Sequence, residues 1–265
     1  MFKTRLFSGV ILLAITILVV VLGGNILYAT LFVISLIGMM ELYRILKIHK
    51  ELLGFAGYLA GISYFGLLYF GLDQYQPMLF VFFLMLLLLI SVFSFPKYKT
   101  EQVAIAFLGL FYVSVMLSYI YRVRMLEDGA LIVWLIFIGA WGSDTCAYCV
   151  GMLLGKHKIA PKLSPKKSVE GCIGGVIGAA LIGLLYATIF KDSITGVSNP
   201  QIAFMVIGAA SSVISQIGDM AASSIKRNYN IKDYGTLIPG HGGILDRFDS
   251  IIFTAPIVYY LAVIL

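Results

Sequence analysis

Charge is what this chain has least of. Only 12% of its 265 residues are Asp, Glu, Lys or Arg, about half the share of an ordinary soluble domain, whereas 60% are hydrophobic and the mean hydropathy is +0.98. A water-soluble globule is excluded. Cysteine is scarce too. Cys146, Cys149 and Cys172 offer no disulfide framework, and the Cys-x-x-Cys of the first two falls in an apolar helix with no second pair to complete a metal or redox site. Helix packing is their expected role. The chain also lacks a G-x-S-x-G nucleophile elbow, a linker and a convincing internal repeat.

What it has instead is apolar runs of the length that crosses a bilayer, roughly 17 to 25 residues. They are Leu6 to Leu22, Ile26 to Met40, Leu52 to Gly71, Met78 to Phe95, Val103 to Tyr121, Ala130 to Val150, Cys172 to Phe190, Ile202 to Ile225 and Ile251 to Leu265. The expectation is an all-α, polytopic integral membrane protein of about nine transmembrane helices. The second and ninth runs are short, which leaves an eight-span arrangement open. The first run follows Lys3 and Arg5 as a signal peptide would, but its apolar core is longer than a usual h-region and no small-residue cleavage pattern follows. It is read as an anchor.

Basic residues set the orientation. With nine spans and the N-terminus inside, sixteen of the nineteen Lys and Arg face the cytoplasm, and only Arg122, Arg124 and Lys191 lie outside. Short loops rich in Lys and Arg stay in the cytoplasm, so the pattern predicts an N-in, C-out chain. Two of the cytoplasmic loops are unlike the rest: GKHKIAPKLSPKKSVEG, Gly155 to Gly171, and Lys226 to Asp249, which contains PGHGGILDRFD.

Aspartates within spans cost about 2.5 to 3.5 kcal/mol to insert, so something must offset them. Asp144, Asp219, Asp246 and Asp249 all fall near cytoplasmic ends of spans in this topology. Ser212, Ser215, Asp219, Ser223 and Lys226 are spaced by three or four and share one helical face. The hydroxyls of Ser212 and Ser215 suit helix packing; a packing role needs no carboxylate, so Asp219 is read as functional. Asp246 and Asp249 alone would suit the start of a helix. With Asp219 at a similar depth they suit a hard cation, which takes oxygen ligands from one or two carboxylates and substrate phosphates. Gly240, Gly242 and Gly243 around His241 permit backbone conformations closed to other residues and close approach to an anion. Lys166 and Lys167 in SPKK fit either a topogenic charge cluster or a phosphate site.

The run from Ser223 to Asp249, SSIKRNYNIKDYGTLIPGHGGILDRFD, resembles the signature of the phosphatidate cytidylyltransferases, also called CDP-diacylglycerol synthases. SDTCAYCVG at Ser143 to Gly151 and LSPKKSVEGCIGG at Leu163 to Gly175 are similar to two further blocks of that family. The resemblance implies one transmembrane domain over 1–265, with 1–125 as variable N-terminal helices and 126–265 as the catalytic half. It implies a nucleotidyltransferase: CTP and phosphatidate give CDP-diacylglycerol and pyrophosphate, in phospholipid biosynthesis, at the cytoplasmic face of the cell (inner) membrane. One or two Mg2+ ions are expected, held by Asp219, Asp246 and Asp249. Lys226 and His241 join these as catalytic groups. Substrate binding is expected of Asp144, Lys166, Lys167, Ser223, Arg227, Lys232, Asp233, Gly242, Gly243 and Arg247.

The chemistry fits that assignment. A phosphomonoester has a second pKa near ~6, so phosphatidate is largely dianionic at neutral pH and attacks without a strong general base. Partners are then CTP, phosphatidate and the lipid bilayer, with no nucleic acid. Gly57-x-x-x-Gly61, Gly151-x-x-x-Gly155, Gly171-x-x-x-Gly175 and Gly174-x-x-x-Gly178 permit close helix contacts, inside the protein or in a homodimer. Two other readings stay open: an ion-coupled transporter, whose intramembrane acids lie near the midplane, and another lipid phosphotransferase, although the acidic DG-x-x-AR type motif of the CDP-alcohol phosphotransferases is absent.

Overall fold

The computed structural model describes residues 2–265, with side chains from residue 6 onward. Among these residues, eight helices are long and apolar enough to cross a membrane, and a shorter apolar helix covers Leu6–Leu22. The elements are α1 (Phe2–Leu22), α2 (Gly24–Ile45), α3 (Leu52–Tyr69), α4 (Gln76–Phe93), α5 (Thr100–Gly109) and α6 (Met116–Arg124), then α7 (Gly129–Ile132), α8 (Trp134–Phe137), α9 (Ser143–Leu154), α10 (Val169–Ile189), α11 (Pro200–Asn228) and α12 (Leu245–Ile264). Widened π turns at Leu110–Val115 and Ile138–Gly142 join α5 to α6 and α8 to α9. Each of the nine apolar runs is helical, and the chain is an all-α polytopic membrane protein with one small exception. In the first basic loop, β1 (Lys158–Ala160) pairs antiparallel with β2 (Ser164–Ser168). SPKKS lacks the apolar alternation of a strand, so its pairing is invisible to pattern reading.

The chain divides into two compact units. The first holds the segment up to Ala14, Asn25–Ser118 and Asp233–Asp246; the second holds Ile15–Gly24, Tyr119–Lys232 and Arg247–Leu265. The glycine-rich loop thus belongs to the N-terminal helices, although it follows α11 in sequence.

Tyr43 is the pivot of the first unit. It is fully buried, its hydroxyl donates to the carbonyl of Ala106 at 2.7 Å, and its ring occupies the space that a Cβ would need at Gly57 and Gly109. Buried hydroxyls elsewhere in this unit pair with one another: Tyr64 with Ser118 at 2.8 Å and Ser35 with Ser114 at 3.1 Å. A buried polar group without a partner is costly, and in hydrocarbon no water supplies one.

The second unit is built on α10, which carries two stripes of period four. Gly171, Gly175, Ala179, Gly183 and Ala187 are buried, while Ile173, Ile177, Leu181 and Leu185 are each more than half exposed. Small residues let neighbouring backbones close in, and large ones face outward where lipid would lie. Gly178 packs on Cys146, Gly174 on Val150, and Gly183 on the backbone of Phe204. The expected packing role of Cys146 is thereby met.

Candidate active site

In the second unit the side chains gather around Lys167. β2 presents its ammonium to Asp219 of α11 at 2.5 Å, with both side chains mostly covered. Asp144, at the start of α9, lies within electrostatic range of Lys167 and Asp219. Asp249, in the first turns of α12, lies within range of Asp219 and Lys226. Three acids and two lysines thus gather: Asp144, Lys167, Asp219, Lys226 and Asp249. The polar face of α11 leads there. Ser212 meets Ser143 at 2.6 Å, and Gln216 donates to the carbonyl of Cys172 at 3.1 Å; Ser215 is fully buried on the same face. The hydroxyls deeper in α11 pack helices, and the charged groups come at its end.

The remaining sequence candidates of this unit differ in exposure. Lys166, Arg227 and Lys232 are exposed, whereas Ser223 and Arg247 are half-buried. Neither Lys166 nor Arg227 has an ion pair among the described residues. Among the described residues, no group of three or more His, Cys, Asp or Glu could hold a metal ion by itself. Asp219 and Asp249 are near enough for their charges to interact, and a hard cation in general takes one or two carboxylates and completes its shell with phosphate oxygens and water.

In the first unit the glycine loop folds on itself. Ile238 and Gly242 form an isolated bridge, with the N–H of Ile238 donating to Gly242 at 2.8 Å and that of His241 to Ile238 at 2.9 Å. Gly240 and Gly242 have φ of 77° and 85°, in the left-handed region where only glycine sits without strain. Asp246, buried at the start of α12, accepts the N–H of Tyr234 at 2.7 Å and of Gly243 at 3.0 Å through one oxygen. The N–H of Gly243 is therefore committed to a carboxylate. Asp233 is exposed, and its Cβ lies against Gly242.

Two residues of this unit escaped sequence reasoning. Ser8 of α1 donates to the carbonyl of Pro239 at 3.0 Å and stands 2.9 Å from Nδ1 of His241. Glu41 of α2 is 2% exposed and accepts the N–H groups of Ile244 and Leu245 at 3.1 and 2.9 Å. Its signal was present, a lone acid at the end of an apolar run, but a span ending at Met40 assigned it to a loop.

Lysines beside carboxylates at helix ends can meet phosphate groups at a bilayer directly and through a cation. Residues 3–265 match the model of the cytidylyltransferase family. Relatives named phosphatidate cytidylyltransferase include that of Bacillus subtilis, 32% identical over 98% of this chain and 97% of the relative, and that of Staphylococcus saprophyticus, 32% identical over 98% and 99%. A third, from Staphylococcus epidermidis, is 29% identical over 98% and 99%. The chain belongs to the cytidylyltransferase family.

Proposed function

We propose that this protein transfers CMP from CTP to phosphatidate, giving CDP-diacylglycerol and pyrophosphate. The observation that carries the reading is the gathering of Asp144, Lys167, Asp219, Lys226 and Asp249 in a membrane protein whose relatives bear that activity in their names. A phosphatidate oxygen forms a bond to the α-phosphorus of CTP, and the bond from that phosphorus to the bridging oxygen of the β-phosphate breaks, its electrons leaving with pyrophosphate. No strong base is needed, because the lipid phosphate is largely dianionic at pH 7. Catalysis then rests on placement and charge. Lys167 and Lys226, with Arg227 and His241, are assigned to the triphosphate and the departing pyrophosphate.

Asp219 and Asp249 are the proposed holders of Mg2+, and Asp246 is included on its place in the glycine-loop motif of the sequence. When bound, Mg2+ neutralises phosphate charge and withdraws electrons from the phosphorus. Lys167 occupies the Asp219 carboxylate as a cation would, so the pair is expected to part as substrate phosphates draw the lysine away.

The proposed setting is the cell (inner) membrane, with CTP arriving from the cytoplasm. Transport is disfavoured by where the acids lie: Asp219 sits nine positions from the end of the 29-residue α11 and Asp249 near the start of α12, not at mid-helix. The homodimer has no support from the glycine pairs. Gly57 and Gly61 pack on Tyr43 and Met39, Gly151 and Gly155 on Ser168, and Gly171, Gly175, Gly174 and Gly178 on residues of α9. The deciding experiment is pyrophosphate release by the purified, reconstituted protein with phosphatidate, Mg2+ and CTP, ATP, GTP or UTP. Release that requires both CTP and phosphatidate is expected. Substrate flux across vesicles without release would overturn the assignment.

A further inference from the structure

The glycine loop is held by a carboxylate that the proposed chemistry does not use. Glu41 reaches it from α2, and each of its oxygens accepts one backbone N–H, Oε1 that of Ile244 and Oε2 that of Leu245. These donors open α12. Helix geometry leaves the first N–H groups of any helix without an intrahelical acceptor, and a side chain just before the helix ordinarily supplies one. Here the acceptor comes from a residue more than two hundred positions earlier.

The same carboxylate fills the space over two glycines. A Cβ on either Gly235 or Gly243 would run into Glu41, so a side chain at either position would displace the carboxylate. Asp246 completes the arrangement by accepting the N–H groups of Tyr234 and Gly243. Two buried carboxylates thus bind four backbone donors, at Tyr234, Gly243, Ile244 and Leu245, and the turn carrying His241 is gripped where it leaves and where it returns. Burying an acid in a membrane helix is expensive, and core packing alone would be served more cheaply by Leu or Met.

We infer that Glu41 is a positioning residue: it fixes where α12 begins and thereby aims His241 and Asp246. The kinetic consequence rests on the cytidylyltransferase reading, whereas the structural one does not.

Glu41→Gln is the discriminating variant. It keeps the size of the side chain but offers one acceptor oxygen where two N–H groups converge, and turns an NH2 toward one of them. In the full-length reconstituted protein, the KM for CTP should rise about tenfold, the cost of leaving a buried donor unpaired. The KM for phosphatidate should stay within about twofold, because the loop is assigned to the triphosphate. Deuterium exchange should accelerate in peptides spanning 240–246 and remain unchanged in α3 and α4. A folded Glu41→Gln protein with wild-type CTP KM or unaltered exchange at 240–246 overturns the inference. So does a loss of kcat that merely follows the folded fraction, with both KM values unchanged. If Glu41→Gln does not fold, Glu41→Asp is read by the same criteria; failure of both to fold makes Glu41 a stability residue and also overturns it. Absence of CTP-dependent turnover in the wild type would sink the proposed activity, while the exchange measurement would still decide whether Glu41 holds the loop.

Discussion

At the scale of single residues, the informative comparison is between lysines that resemble one another in sequence. Lys97 pairs with Glu51 at 2.5 Å at an exposed site, where the Lys97 hydrogen bond lowers the Glu51 pKa from its ordinary value. Lys167 makes the same contact with Asp219, but with its side chain only 21% exposed. Exposed pairs are screened by water and salt, whereas partly covered ones are screened much less. Lys167→Ala should therefore lower kcat/KM for CTP roughly tenfold or more, and Lys97→Ala should leave it near wild type. Equal losses in a pyrophosphate-release assay would make both lysines part of a general membrane charge. Asp246 needs a subtler change, because it both holds the loop and is proposed to hold metal. Asp246→Asn retains a carbonyl oxygen for the N–H groups of Tyr234 and Gly243 but removes the charge. Turnover should fall about a hundredfold with deuterium exchange at 234–243 unaltered; undiminished turnover would confine Asp246 to the loop. Residue chemistry was legible where it broke a pattern, as Asp219 does in α11. Glu41 was not, because a helix end and a loop look alike when an acid is the last residue considered.

At the scale of elements, the helices were legible because apolar runs of membrane length have few other fates, and α10 makes the reason concrete. Its glycines read as a motif for close approach, but only the fold says against what. Gly183 lies on the carbonyl oxygen of Phe204, a backbone atom that cannot swing aside. Gly183→Ala should destabilise the protein by about 1 to 3 kcal/mol through overpacking. Gly66, in α3, has nothing within 4 Å of where its Cβ would be, so Gly66→Ala should be neutral or stabilising by up to about 1 kcal/mol. Thermal unfolding in detergent checks both, at about 2 to 4 °C per kcal/mol for a chain of this size; equal midpoints would mean that α10 and α11 relax apart at little cost. The β1–β2 hairpin and the two π turns had no such signal. Their geometry depends on what surrounds them, and SPKKS as a string reads equally well as a charged loop.

At the scale of the whole molecule, the division into two units was hidden from the sequence, because the glycine loop joins the helices that precede it by some two hundred residues rather than those beside it. Its partner, Glu41, is what brings it there. The overall charge distribution was legible, and it makes a prediction about sidedness. The basic loop containing β1 and β2 and the loop after α11 together carry most of the Lys and Arg of the C-terminal half, while the segment between α10 and α11 carries Lys191 alone. Lys and Arg near span ends are retained on the cytoplasmic side, and the proposed route of CTP is from there, so charge and the proposed chemistry predict the same orientation. Single cysteines at Lys162, Leu237 and Asp192, all exposed positions, test it in a background with Cys146, Cys149 and Cys172 replaced by Ala. In intact cells a membrane-impermeant maleimide should label only Asp192→Cys; after permeabilisation all three should react. Labelling of Lys162→Cys and Leu237→Cys from outside would place the lysines and the glycine loop on the side that CTP does not reach, and both the topology and the proposed route of the nucleotide would have to be abandoned together.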